Sequence, residues 1–157
     1  MISFNQKETS LLQDAKKAEE LCIKKYNSYA NQAQDPELKQ LMTQLAQQEQ
    51  THLDSINQLL AGQLPAMGGG QQQGQQQQAQ PQGAGMPAAL GSQGDSTLCE
   101  DQLSTEKHVS STYNTAIFEF RDANVRQILN HIQKEEQEHG QRIFNYMAAH
   151  GMYTVPQ

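Results

Sequence analysis

One pattern occurs twice in this chain, 87 residues apart, and that repeat constrains the fold more than any other feature. Shifting the first copy onto the second needs no gap. Leu11 falls on Leu98, Asp14 on Asp101 and Glu19 on Glu106. Tyr26-Asn27 falls on Tyr113-Asn114, Asp35 on Asp122, Gln40 on Gln127 and Leu41 on Ile128. Glu49-Gln50 meets Glu136-Gln137, His52 meets His139, and Ile56 meets Ile143. The shared pattern is E-x6-Y-x22-E-x2-H. Two copies of one unit must each bury the same kind of face, and the simplest way is to bury them against each other.

Each unit reads as a helical hairpin. Leu11, Leu12, Ala15, Cys22, Ile23, Tyr26 and Ala30 recur at helical spacing and form one apolar stripe. Asp35 is a predicted N-cap, followed by Pro36 at the first helical position and Glu37 in the first turn. Leu38, Leu41, Leu45, Ile56 and Leu59 continue the stripe on a second helix. In the second unit Leu103, Val109, Tyr113, Ile117 and Phe120 lead to a break near Asp122. Val125, Ile128, Leu129, Ile132, Ile143 and Met147 follow it. Breaks this short make the flanking helices antiparallel neighbours. Two such hairpins give an all-α four-helix bundle, which buries all four stripes in one core.

The expected organisation is a single bundle over residues 5–150, with a first hairpin at about 5–61 and a second at about 96–150. Residues 151–157 form a C-terminal tail. Residues 62–95, which include GGGQQQGQQQQAQPQGAG, read as a disordered Gly/Gln-rich crossover linker. Glycine and glutamine bury too little apolar surface to offset the entropy of ordering. The segment reads as a flexible tether or as a Gln-rich assembly or cross-linking segment.

The informative residues interrupt the apolar stripes. Glu19 shares its helical face with Ala15, Cys22, Ile23 and Tyr26, while Glu20 is rotated about 100° toward solvent. Glu49 and His52 lie between Leu45 and Ile56. Glu106 lies among Leu103, Val109 and Tyr113, and Glu136 and His139 lie between Ile132 and Ile143. Glu19 and Glu106 lie 16 residues before Asp35 and Asp122, and Glu49 and Glu136 lie 14 after them, about 21–24 Å along a helix and near mid-bundle. All six can therefore meet at one level. Buried charges are very costly unless they are paired or bind a metal.

One Glu from each of two helices plus Glu-x-x-His from each of the other two is the ligand pattern of di-iron and di-manganese carboxylate bundles. The i, i+3 spacing places carboxylate and imidazole on one face. A set of O and N ligands suits iron, manganese or zinc better than calcium. With 11 Glu and 5 His in 157 residues, about 0.35 Glu-x-x-His pairs arise by chance. Two at equivalent repeat positions, each with an inward Glu at matched depth, are specific. The predicted metal ligands are Glu19, Glu49, His52, Glu106, Glu136 and His139. The competing readings are solvated surface residues, or a buried polar network without metal.

Tyr26 and Tyr113 lie two turns after the inward Glu on the same face. They read as core aromatics with a polar tip, as hydrogen-bond partners of the ligand carboxylates, or as both. His108, His131 and His150 read as surface or capping residues, and Cys22 as a buried core thiol. The two cysteines make no disulfide framework and fit a reducing compartment. A net charge of −6 without a basic patch argues against nucleic acid as a partner. No apolar run is long enough to span a membrane, and the N-terminal residues lack a secretory signal.

With these motifs the chain resembles the ferritin-like superfamily, including rubrerythrins, across both hairpins. The second half resembles the spore coat F family of endospore-forming Gram-positive bacteria. The stretches that carry this likeness are EKHVSSTYNTAIFEFRDANVRQIL (Glu106 to Leu129) and HGQRIFNYMAAHGMYTVPQ (His139 to Gln157). The resemblance implies a ferritin-like bundle made in the mother-cell cytoplasm and deposited on the spore coat, with other coat proteins or copies of itself as partners. From the ferritin-like pattern it implies two divalent ions, iron first, with manganese or zinc as alternatives. An enzymatic activity does not carry over from the coat F resemblance. These residues include no Cys-rich segment like the rubredoxin domain of rubrerythrins, so a peroxidase cycle fed by an attached electron donor is not expected. Three functions follow as expectations: a structural or protective coat protein with a dinuclear site, an oxidoreductase acting on oxygen or peroxide, or a metal-free assembly scaffold.

Overall fold

The computed structural model describes residues 1–66 and 93–153. Within them the chain forms four α-helices: α1 (Gln6–Gln32), α2 (Pro36–Leu60), α3 (Gln93–Glu119) and α4 (Ala123–Ala149). The expected four-helix architecture is borne out. At 25 to 27 residues each, the helices are about 40 Å long.

The helix starts follow from local chemistry. Asn5 caps α1: its side chain accepts from the Glu8 amide at 2.8 Å, and the Glu8 carboxylate accepts from the Asn5 amide at 2.9 Å. Asp35 caps α2 by accepting from the Glu37 amide, with Pro36 at the first position. Asp122, its counterpart in the repeat, caps α4 by accepting from the amides of Asn124 and Val125. Helix α3 begins at Gln93, slightly before the expected start near residue 96. Most of the expected linker, residues 67–92, and residues 154–157 of the tail lie outside the described residues.

Contacts between helix ends set the topology. The Glu8 carboxylate accepts from the Arg121 backbone amide at 3.1 Å and from its guanidinium at 3.1 Å twice. That ties the start of α1 to the turn after α3. The Asp95 carboxylate accepts from the amides of Gln34 and Asp35 at 2.9 and 3.0 Å, which ties the start of α3 to the turn after α1. Glu8 and Asp95 are equivalent in the repeat, so one lock is used twice. Helices α1 and α3 are therefore antiparallel. At the end of α4, the Tyr146 hydroxyl donates to Asp35 at 2.5 Å, so α4 finishes where α2 begins.

Helix α2 ends beside the N-terminal residues, where the Ile2 amide donates to the Gly62 carbonyl at 2.9 Å. Gly62 has φ +76°, and a Cβ there would stand 2.9 Å from Met1 Cγ and 3.0 Å from the Ile2 carbonyl oxygen. Only glycine fits that close approach. The end of α2 and the start of α3 thus lie at opposite ends of the bundle.

The core contains the expected stripes. Leu12, Ala15, Cys22, Tyr26, Leu38, Leu45, Ile56, Leu59, Val109, Tyr113, Val125, Leu129 and Ile143 are buried, while Leu11, Leu41, Leu103 and Ile117 are half-buried at its margins. Fully burying a large aliphatic side chain contributes about 1.5–3 kcal/mol. These layers on either side of mid-bundle offset the cost of the charged belt between them. Among the described residues no helix is long and apolar enough to cross a membrane.

Candidate metal centre

All six residues singled out by the repeat converge at mid-bundle. Glu19 and Glu49 are fully buried, and His52, Glu106, Glu136 and His139 nearly so. Glu19 comes from α1, Glu49 and His52 from α2, Glu106 from α3, and Glu136 and His139 from α4.

The six form two overlapping sets. Glu19, Glu49, His52 and Glu136 bring one ligand atom each within 4.8 Å of the others, and so do Glu49, Glu106, Glu136 and His139. Glu49 and Glu136 belong to both sets. Glu19 with His52, and Glu106 with His139, belong to one set each. His52 Nδ1 lies 2.8 Å from Glu136 Oε1 and 3.1 Å from Glu49 Oε2. His139 Nδ1 lies 2.8 Å from Glu49 Oε1 and 3.5 Å from Glu136 Oε2. Each imidazole thus faces both shared carboxylates, and the rings stack with centroids 5.5 Å apart.

A tyrosine from the other hairpin holds each unshared carboxylate. Tyr113 on α3 donates to Glu19 Oε1 at 2.5 Å, and Tyr26 on α1 donates to Glu106 Oε1. The tyrosines are therefore core aromatics and hydrogen-bond partners at once. The second oxygens, Glu19 Oε2 and Glu106 Oε2, are buried without a hydrogen-bond partner among the described residues, as are Glu136 Oε2 and His139 Nε2.

The electrostatics are those of a crowded anionic cage. Burial, and then Glu49 beside it, push the Glu19 carboxyl well above its ordinary value. Burial and Glu106 do the same to Glu136. Burial also acts to raise Glu49, but His139 and His52 outweigh it and hold that carboxyl below the usual range. Burial opposes charge on both imidazoles, yet Glu135, Glu136 and Glu49 raise His52 well above its ordinary value, and Glu106 and Glu49 raise His139 to about 9. Protons are thus shared across the cluster as a unit. Two dications would neutralise four carboxylates with both imidazoles neutral, and would give the orphaned oxygens a partner. The residues fit such ions in charge, donor type and number.

Sequence reasoning missed Glu135. This half-buried residue has an oxygen 3.2 Å from His52 Nε2, and its other oxygen pairs with His131. His52, through its hydrogen bond, holds the Glu135 carboxyl below the usual range. Its repeat counterpart is Gln48, which is exposed, so a search for matched residues passes over it. His131 is exposed as expected but reaches the site through Glu135. His108 is exposed, and His150 caps α4 with Nε2 3.4 Å from Asp35 and 3.3 Å from Glu37. Cys22 is buried, with its thiol 3.8 Å from Glu106 Oε1, and burial pushes the thiol far up. Cys22 and Cys99 are free thiols.

Two helices of the cage, α3 and α4, supply Glu106, Glu136 and His139 within a stretch that also carries a family pattern. Residues 94–156 match the Coat F domain. The Coat F match spans less than half of the chain, so Glu19, Glu49 and His52 lie outside it. The expected coat F likeness of the second half is borne out. The chain also resembles a crystal structure from Anabaena variabilis, a two-domain protein containing DJ-1/ThiJ/PfpI-like and ferritin-like domains. The TM-score is 0.71 at 15% identity over 99% of this chain, which spans 40% of that protein's length. At that identity the likeness concerns the fold, and the fold is ferritin-like. No curated protein matches the chain.

Proposed function

We propose that this is a spore coat protein, of coat F type, whose ferritin-like bundle holds two divalent cations in a structural or protective role. The single observation behind the metal is the pair of ligand sets that share Glu49 and Glu136. In this reading Glu19 and His52 would hold one ion, Glu106 and His139 would hold the other, and Glu49 and Glu136 would contribute to both. Four buried carboxylates and two imidazoles suit iron, with manganese or zinc as alternatives. The coat assignment rests on the Coat F match over α3 and α4, with other coat proteins or further copies of the chain as partners.

The second reading is an oxidoreductase of ferroxidase, peroxidase or catalase-like type. The two phenols bonded to ligand carboxylates favour it. Bound redox ions would supply electron transfer to oxygen or peroxide. The chain's own part would be to orient Glu19 and Glu106 through Tyr113 and Tyr26, and to keep bulk water out of the cage.

Metal analysis of full-length protein purified without chelator tests the proposal, together with antibody detection in coat extracts of spores. Two ions per chain, coat-associated protein and no turnover of peroxide are expected. Metal-dependent peroxide consumption would move the assignment to the oxidoreductase. Protein without metal would leave a scaffold.

A further inference from the structure

The repeat makes the two halves of the cage equivalent in their six ligands, but the residues behind the imidazoles are not equivalent. His52 presents Nδ1 to the shared carboxylates, at 2.8 Å from Glu136 and 3.1 Å from Glu49. Its other nitrogen, Nε2, lies 3.2 Å from Glu135 Oε2. His139 presents Nδ1 in the same way, 2.8 Å from Glu49. Its Nε2 is buried and without a hydrogen-bond partner among the described residues, although the residue is only 1% exposed. The position equivalent to Glu135 is occupied by Gln48, which is exposed.

An imidazole that binds a cation through Nδ1 must be neutral and carry its proton on Nε2. A carboxylate that accepts that N–H fixes the tautomer, orients the ring and makes Nδ1 more electron-rich. Glu135 is placed to do this for His52. It is itself held by His131, whose Nε2 pairs with its other oxygen one helical turn away. It lies near His139 as well, with ligand atoms of His52, Glu135 and His139 within 4.8 Å of one another, but its hydrogen bond goes to His52. His139 must select its tautomer without such an acceptor.

We infer that the two cation positions are unequal, and that Glu135, as a positioning residue, makes the one formed by Glu19 and His52 the tighter of the two. This rests on the dinuclear reading above. It concerns which position fills first, so single-ion occupancy has a defined place. Behind the imidazoles, one half has Glu135 and the other has Gln48 at the equivalent position.

The test is a cobalt(II) titration of full-length, metal-stripped protein, followed by calorimetry and by the visible bands of the bound ion. The wild type is expected to show two separate steps at least tenfold apart. Glu19→Ala removes the tighter step and Glu106→Ala the weaker one. Glu135→Ala weakens the tighter step by about tenfold to a hundredfold and leaves the weaker one in place, so that the steps merge. Glu135→Gln, which retains a carbonyl acceptor, falls between. Gln48→Glu strengthens the weaker step, a gain that a merely structural role for position 135 would not produce. Two equal steps in the wild type, or a Glu135→Ala variant that shifts both steps equally or neither, would overturn the inference while leaving two bound ions. A wild type that binds no cobalt, or full cobalt occupancy in Glu49→Gln with Glu136→Gln, would instead overturn the dinuclear reading itself.

Discussion

Tyr113 on α3 donates its hydroxyl to Glu19 on α1 at 2.5 Å, and Tyr26 on α1 returns the same bond to Glu106 on α3. Each hairpin therefore orients a carboxylate of the other. Neither hairpin can complete the cage alone. The same reciprocity appears at the bundle ends, where Glu8 receives the amide of Arg121 and Asp95 receives those of Gln34 and Asp35. One pseudo-two-fold relation organises the site and the fold.

Removing either phenol leaves a buried carboxylate without its donor. Tyr26→Phe and Tyr113→Phe should each lower the stability of metal-free protein by about 1–3 kcal/mol. Urea unfolding of each variant beside the wild type measures this. An unchanged midpoint in both would show that the bonds contribute nothing to folding.

Glu49 and Glu136 face both imidazoles, so replacing them should cost both ions rather than one. Glu49→Gln with Glu136→Gln keeps the volume of the core and removes the two carboxylates that both ligand sets share. Metal content should fall to zero. The metal-free variant should melt below the metal-free wild type, because both buried imidazoles lose the carboxylates they pair with. Metal analysis and thermal scans with and without chelator check both parts.

Acid should loosen the bundle at the Glu8 lock. The Arg121 side chain beside it holds the Glu8 carboxyl down at about 2. Because the folded value lies below that of an unfolded glutamate, about 4.3, the lock contributes fully above that pH. Its contribution is lost as pH falls from there through about 2. Glu8→Gln should flatten the pH dependence of the unfolding midpoint in that window, with little slope change above pH 5. A variant with the wild-type slope would place the acid sensitivity elsewhere.

Thirty-two residues separate Leu60 from Gln93, and these ends lie at opposite ends of the bundle, about 40 Å apart. An extended chain covers at most about 3.4 Å per residue. Deleting Gly68 to Gln82 leaves enough chain to connect them, and should preserve helix content by circular dichroism. Leaving fewer than about 12 residues should block the monomeric bundle and yield a swapped dimer by light scattering. A monomeric, fully helical protein with the shorter connection would refute the end-to-end topology.

Helical spacing placed Glu19, Glu49, His52, Glu106, Glu136 and His139 on inward faces, and the matched distances from Asp35 and Asp122 placed them at one level. Those readings were available because a face and a depth depend only on 3.6 residues per turn and 1.5 Å per residue. Glu135 escaped because its neighbour in the repeat is Gln48, and because its role depends on α4 lying against α2. The Glu8 and Asp95 locks escaped for a related reason. Each bonds a backbone amide on a distant turn, which no side-chain pattern records.

The amino-acid sequence by itself determined the four amphipathic helices, their caps at Asp35 and Asp122, and the six inward polar residues. Local periodicity and capping act within a few residues of the chain. Only the tertiary structure decided that Glu49 and Glu136 are shared between two ligand sets, that Tyr26 serves Glu106 and Tyr113 serves Glu19, and that Glu135 stands behind His52 alone. These relations join residues 80 to 94 positions apart. They exist because antiparallel docking of two hairpins aligns those levels, and a helix's own sequence specifies which face it buries but not which atom it will meet there.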